Sequence, residues 1–230
     1  MAYTDIDRPD LYFNTKLYTG NGSTQSISGI GFQPDWVWIK ARTIDYSHSL
    51  FDSVRGVQLR LQTNNTEAEG TDTQSVTAFN SDGFSIGNSS SVNENSNNFV
   101  AWNWLASNTT ASNTDGSITS TVSANTTSGF SIVSYTGNGT ASTIGHGLGT
   151  TPSMIIVKKR SVAGSWYVYH QSLGNTKRLV LDTTSASTTD ANAWNNTSPT
   201  SSVFSVGASG TTNASGATHI GYCFAEKKGF

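Results

Sequence analysis

The sequence predicts an all-β protein built as two tandem homologous β-sandwich domains of jelly-roll or lectin-like type. Three observations carry that expectation. The chain repeats itself, its apolar runs are short and rich in aromatic and β-branched residues, and Asn/Gly/Ser turns separate those runs at intervals of about ten residues. No long stretch keeps a helical period with a capping signal.

The repeat is read from blocks that stay in order. Tyr18-Thr-Gly-Asn-Gly22 recurs as Tyr135-Thr-Gly-Asn-Gly139, an offset of 117. Gly31 to Lys40 answers Gly149 to Lys158 at an offset of 118, with Arg42/Arg160 and Arg60/Arg178 following. Phe84-Ser-Ile-Gly87 answers Phe204-Ser-Val-Gly207, and Val100 to Trp104 answers Ile220 to Phe224, both at 120. A drift of this size is what small loop insertions produce. The expected organisation is an N-terminal arm over 1–10, a first unit over 11–106, a Ser/Thr/Asn-rich connector over 107–128 and a second unit over 129–230.

In chain order, Phe13–Tyr18 is a strand running into the Gly20-Asn21-Gly22 turn, where Asn-Gly tolerates positive φ. Trp36–Lys40 is the next strong strand, bounded by Pro34 and Arg42. Asp82-Gly83 is a turn leading into Phe84, and Phe99–Leu105 closes the first unit. Ser117–Ala124 in the connector is a candidate strand able to pack on either unit. Phe130–Tyr135, Met154–Lys158 and His219–Ala225 repeat the pattern.

Composition bounds the function. Charged residues are 12%, against about 25% in ordinary domains; Ser, Thr and Asn supply the polarity instead. A net charge of −2 and a pI near 6.0 give no general grip on nucleic acid. One cysteine excludes an intrachain disulfide. No apolar run suits membrane insertion, and Met1–Asp10 does not read as a signal peptide.

Alternation within strands assigns Trp36, Trp38, Trp102 and Trp104 to the core, paired with Met154, Ile156, Tyr222 and Phe224. Trp166 aligns with His48 and Trp194 falls near Ser75, so neither has an apolar twin. Trp166, Tyr167 and Trp194 are therefore the candidate ligand-binding residues, as indole platforms for a sugar ring. Catalytic signals are thin: His48 and Asp52 answer to Trp166 and His170, which breaks any dyad. His146 sits in a glycine turn without the Lys-Ser/Thr of a phosphate loop. Glu67, Glu69 and Asp72 suggest a Ca²⁺ loop, yet the copy keeps only Asp190. Cys223 reads as a quiet thiol between core positions. No metal, cofactor or catalytic residue is expected.

Tyr12-Phe-Asn-Thr-Lys-Leu-Tyr-Thr-Gly-Asn-Gly-Ser23, Gly31-Phe-Gln-Pro-Asp-Trp-Val-Trp-Ile-Lys40, Phe51-Asp-Ser-Val-Arg-Gly56 and the block around His146-Gly-Leu-Gly149 resemble a known family. The sequence is similar to the repeated domain of uncharacterised virion-surface proteins from phages of marine bacteria, often labelled tail fibre. The resemblance spans about 11–230 and brings no catalytic motif. It implies a non-enzymatic virion protein, a tail-fibre-like adhesin or a capsid decoration or head fibre, at the virion surface. Expected partners are other capsid or tail proteins, further copies of the chain in a homo-oligomer such as a trimer, and host surface polysaccharide. A first unit starting after about ten residues suggests a compact two-bead protein rather than a whole fibre, with the second unit facing the ligand. The alternative is a glycan-degrading enzyme or its carbohydrate-binding module.

Overall fold

A computed structural model describes residues 4–230. The protein is all-β with several antiparallel sheets. Its strands are β1 (Phe13–Thr19), β2 (Gln25–Ser28), β3 (Trp36–Ala41), β4 (Ser49–Asp52), β5 (Gly56–Gln62), β6 (Gly70–Thr71), β7 (Val76–Asn80), β8 (Gly83–Ile86) and β9 (Asn98–Trp104). They continue with β10 (Ala111–Asn113), β11 (Ser120–Asn125), β12 (Phe130–Thr136), β13 (Ser142–Gly145), β14 (Pro152–Lys159) and β15 (Trp166–His170). The last are β16 (Lys177–Val180), β17 (Thr188–Thr189), β18 (Val203–Val206) and β19 (Thr218–Ala225). Among the described residues, no helix is long and apolar enough to cross a membrane.

The chain divides into two compact units, the first comprising Arg8–Asn64 and Glu69–Asn108. Its large sheet runs β1-β9-β3-β4-β5-β6, and its small one runs β2-β8-β7. Val37, Ile39, Phe51, Phe99 and Ala101 from the large sheet share one core with Ile27, Val76, Phe84 and Ile86 from the small sheet. The second unit holds Thr109–Phe230 and the short excursion Asn65–Ala68. Asp5 and Ile6 also belong to it, donating their N–H groups to Lys228 O. Its sheets run β10-β11-β12-β19-β14-β15-β16-β17 and β13-β18. Val133, Ile155, Val157, Tyr169 and Cys223 share a core with Ile144, Phe204 and Val206.

Matched residues occupy the same register in both units. Trp36 lies opposite Trp104, as Met154 lies opposite Phe224; Trp38 lies opposite Trp102, as Ile156 lies opposite Tyr222. The connector is less independent than its composition implies. Ser120–Asn125 pairs onto β12 and Ala111–Asn113 pairs onto Ser120–Asn125, so both extend the second sheet.

The repeated Tyr-Thr-Gly-Asn-Gly motif is a corner between sheets. In the first unit, buried Asn93 accepts from Asn21 N at 2.9 Å and donates to Ser23 O and Gly87 O at 2.5 and 2.7 Å. Tyr18 Oη donates to Val92 O at 2.7 Å. In the second, Asn213 accepts from Asn138 N and donates to Thr140 O and Gly207 O, while Tyr135 Oη donates to Thr212 O at 2.6 Å. Any Cβ at Gly20 or Gly137 would strike Glu94 O or Ala214 O, so both positions need glycine. The most repeated motif is thus a clasp that satisfies buried backbone groups.

Candidate functional site: an aromatic cleft on the first sheet

The large sheet of the first unit is apolar on both faces. Along β3, Val37 and Ile39 enter the core while Trp36, Trp38 and Lys40 point to the other side; β9 sends Trp104, Trp102 and Val100 the same way. Trp36 is only 2% exposed. Trp38, Trp102 and Trp104 are half-buried and, with Lys40 and His48, line a cleft of about 320 Å³.

Neighbouring rings brace the cleft walls. Trp104 lies 4.3 Å from Phe13 and 4.5 Å from Trp36 between ring centroids, and Trp38 lies 5.7 Å from Trp102. Tilted and edge-on contacts of this kind fix ring orientation beyond what burial alone gives. Lys40 Nζ donates to Tyr46 O at 2.8 Å and lies 4.0 Å from the carboxylate of Asp45, whose side chain is fully exposed. His48 N donates to Asn64 Oδ1 at 2.9 Å, anchoring the segment that leads into β4. Burial holds the His48 imidazole below its ordinary pKa, the neighbouring Lys40 adds to this, and Asp45 opposes it. The ring is neutral near pH 7 and offers one donor and one acceptor.

Alternation assigns Trp38, Trp102 and Trp104 to the core, yet they lie outside the core cluster and wall a cleft. The alternation was right, but the other face of each strand had a competent apolar set of its own, and the small-sheet residues pack on that one. Conversely, the sequence suggests Trp166 and Trp194 as ligand platforms, but they are 0% and 1% exposed. Trp194 belongs to the second core, edge-on to Tyr169 at 5.8 Å. Trp166 lies on the opposite side of β15 from Tyr167, as adjacent strand residues must. Tyr167 is half-buried, packs on the core and carries the Arg178 guanidinium 4.1 Å over its ring. The three residues therefore form no common surface for a ligand.

A signal for Trp194 was present at an offset of 118. Asp72 and Asp190 open equivalent turns, accepting from Gln74 N and Asn192 N, and pair with Arg60 and Arg178 at 3.5 and 2.8 Å. Aligned there, Trp194 stands at the place of Val76, a core residue.

The remaining candidates have structural occupations. Asp52 is buried and accepts from Arg55 Nε at 2.5 Å, away from any partnership with His48. Glu69 accepts from Arg55 at 2.9 Å, and Asp72 from Ser89 Oγ at 2.7 Å. Among the described residues, no cluster of His, Cys, Asp and Glu is placed to hold a metal ion. His146 Nδ1 accepts from Leu148 N, and its Nε2 faces Thr200 O at 3.2 Å. Burial pushes the Cys223 thiol up to about 12, which leaves no thiolate near neutral pH.

A family model described as a domain of unknown function, DUF7483, matches residues 8–230, and the chain belongs to that family. No curated protein and no solved structure matches the chain.

Proposed function

We propose that this member of the DUF7483 family is a non-enzymatic bacteriophage virion-surface protein whose first unit binds a host surface glycan. The observation that carries the binding role is the convergence of Trp38, Trp102 and Trp104 on one cleft. Indole faces complement the C–H faces of sugar rings, and the polar rim made by Lys40 and His48 supplies hydrogen bonds to hydroxyls. The five lining side chains include no carboxylate pair of the kind glycoside cleavage uses. The sequence resemblance to virion-surface domains supports placement on a phage particle as a tail-fibre-like adhesin or capsid decoration. Each unit has two sheets around one core, which favours a jelly-roll or lectin-like sandwich. Presentation in several copies, as a trimer on a symmetric particle would provide, turns weak single-site binding into firm attachment.

The test is titration of host envelope polysaccharide into the protein and into a Trp38→Ala, Trp102→Ala variant whose folding is verified by its denaturation midpoint. Binding is expected in the first and a loss of at least about tenfold in the second. Equal binding by both removes the cleft from the function. A rise in reducing ends during incubation replaces the adhesin with a glycan-degrading enzyme. Labelling intact particles with an antibody to the protein tests the virion placement separately.

A further inference from the structure

We infer that the glycan taken by this cleft is anionic, carrying carboxylate or sulfate groups, and that Lys40 reads the charge. The inference rests on the glycan-binding reading above and adds the ligand's chemical class.

Lys40 is the charged residue of the cleft lining. It lies two residues from Trp38 on the same face of β3, a spacing of about 7 Å along the strand. A ring stacked on Trp38 and Trp102 therefore brings its substituents, or those of the next ring, to the ammonium. The side chain is 24% exposed, so its stem is packed while the head still reaches solvent. Tyr46 O occupies one of the three ammonium donors and fixes the head in place. The Asp45 carboxylate, at 4.0 Å and fully exposed, competes weakly. A positioned cation with spare donors beside an aromatic wall is matched by an acidic sugar. Neutral His48, just before β4, can donate to the same anionic group or to a neighbouring hydroxyl.

The equivalent lysine shows that the arrangement in the first unit is not imposed by the strand pattern. Lys158 is completely buried, and its ammonium donates to Thr66 O and Gly164 O. The same residue type at the same register is sealed in one unit and open to a ligand in the other.

The experiment compares three probes by calorimetry: tetragalacturonate, the same tetramer with its carboxylates reduced to alcohols, and a sulfated galactose tetramer. Each is titrated into the full chain and into Lys40→Gln. At least one anionic probe is expected to bind about tenfold or more tighter than the neutral tetramer, and to weaken as salt rises. In Lys40→Gln the anionic and neutral tetramers should bind equally, whatever the common level. Equal binding of neutral and anionic probes, or unchanged discrimination in Lys40→Gln, overturns the anionic assignment and leaves glycan binding standing. Binding of all probes that survives loss of Trp38 and Trp102 overturns the cleft itself.

Discussion

In the first unit, one face of the large sheet carries Trp36, Trp38 and Lys40 on β3 beside Trp104, Trp102 and Val100 on β9. In the second, the same positions hold Met154, Ile156 and Lys158 beside Phe224, Tyr222 and Ile220. The backbone pairing is the same, yet the first face opens into a cleft and the second is largely sealed. The residue beside the lysine makes much of the difference. Where the first unit has His48, the second has Trp166, fully buried with its ring centroid 5.6 Å from Lys158 Nζ. Burial lowers Lys158 to about 8, the mark of a cation enclosed rather than displayed. A duplicated fold can thus keep its hydrogen-bond ladder and core while one copy of an outer face becomes packing and the other an open cleft.

The largest expected contrast is between the two kinds of tryptophan. Trp194→Ala empties a buried core site and should cost about 3–5 kcal/mol. Trp102→Ala removes a half-buried ring and should cost about 1 kcal/mol. Urea denaturation of both variants checks this, and equal losses would return Trp102 to the core.

Acid provides the next contrast. Tyr18 stacks on Phe99 at 5.3 Å in the first unit, and Tyr135 stacks on His219 at 5.0 Å in the second. Burial lowers His219 to about 4, with the backbone of Ala217 pulling it part of the way back. The unfolded imidazole takes up its proton near 6.5 and the folded one near 4, so acid favours the unfolded chain. Stability is expected to fall by about 3 kcal/mol as pH drops through that interval. His219→Phe, which copies the first unit, should remove this component from a pH series of denaturation midpoints. An unchanged pH profile would show that His219 does not carry the acid sensitivity.

The smallest expected effect sharpens the comparison most. His48→Trp places the second unit's residue beside the first unit's cleft and should weaken saccharide binding by about tenfold, or about 1.4 kcal/mol. The stability change should stay within about 1 kcal/mol. Calorimetry with the tetragalacturonate probe, paired with a melting curve, separates a filled cleft from a damaged fold.

Strand positions were legible because both copies spelled them. Trp36–Lys40 was expected and Trp36–Ala41 is found; His219–Ala225 was expected and Thr218–Ala225 is found. Equivalence between the copies was legible too, since the matched blocks lie at matching rungs. Which face is inside was not. Alternation separates Trp36 and Trp38 from Val37 and Ile39 but does not rank two apolar faces, and the size of indole favoured the wrong one. Trp194 was hidden by the Ser/Thr/Asn-rich segment around it. Its burial depends on the turn at Asp190, which folds that segment back over the second core.

The first sheet ends at β1, whereas the equivalent β12 is flanked by β11 and β10. At the position of buried Val133, β1 has Lys16, whose head reaches over Gly29 on the inner side of the sheet. A further strand laid against that edge would have to enclose this ammonium. The consequence is colloidal: this edge is a poor template for a strand from another molecule, so it resists edge-to-edge aggregation.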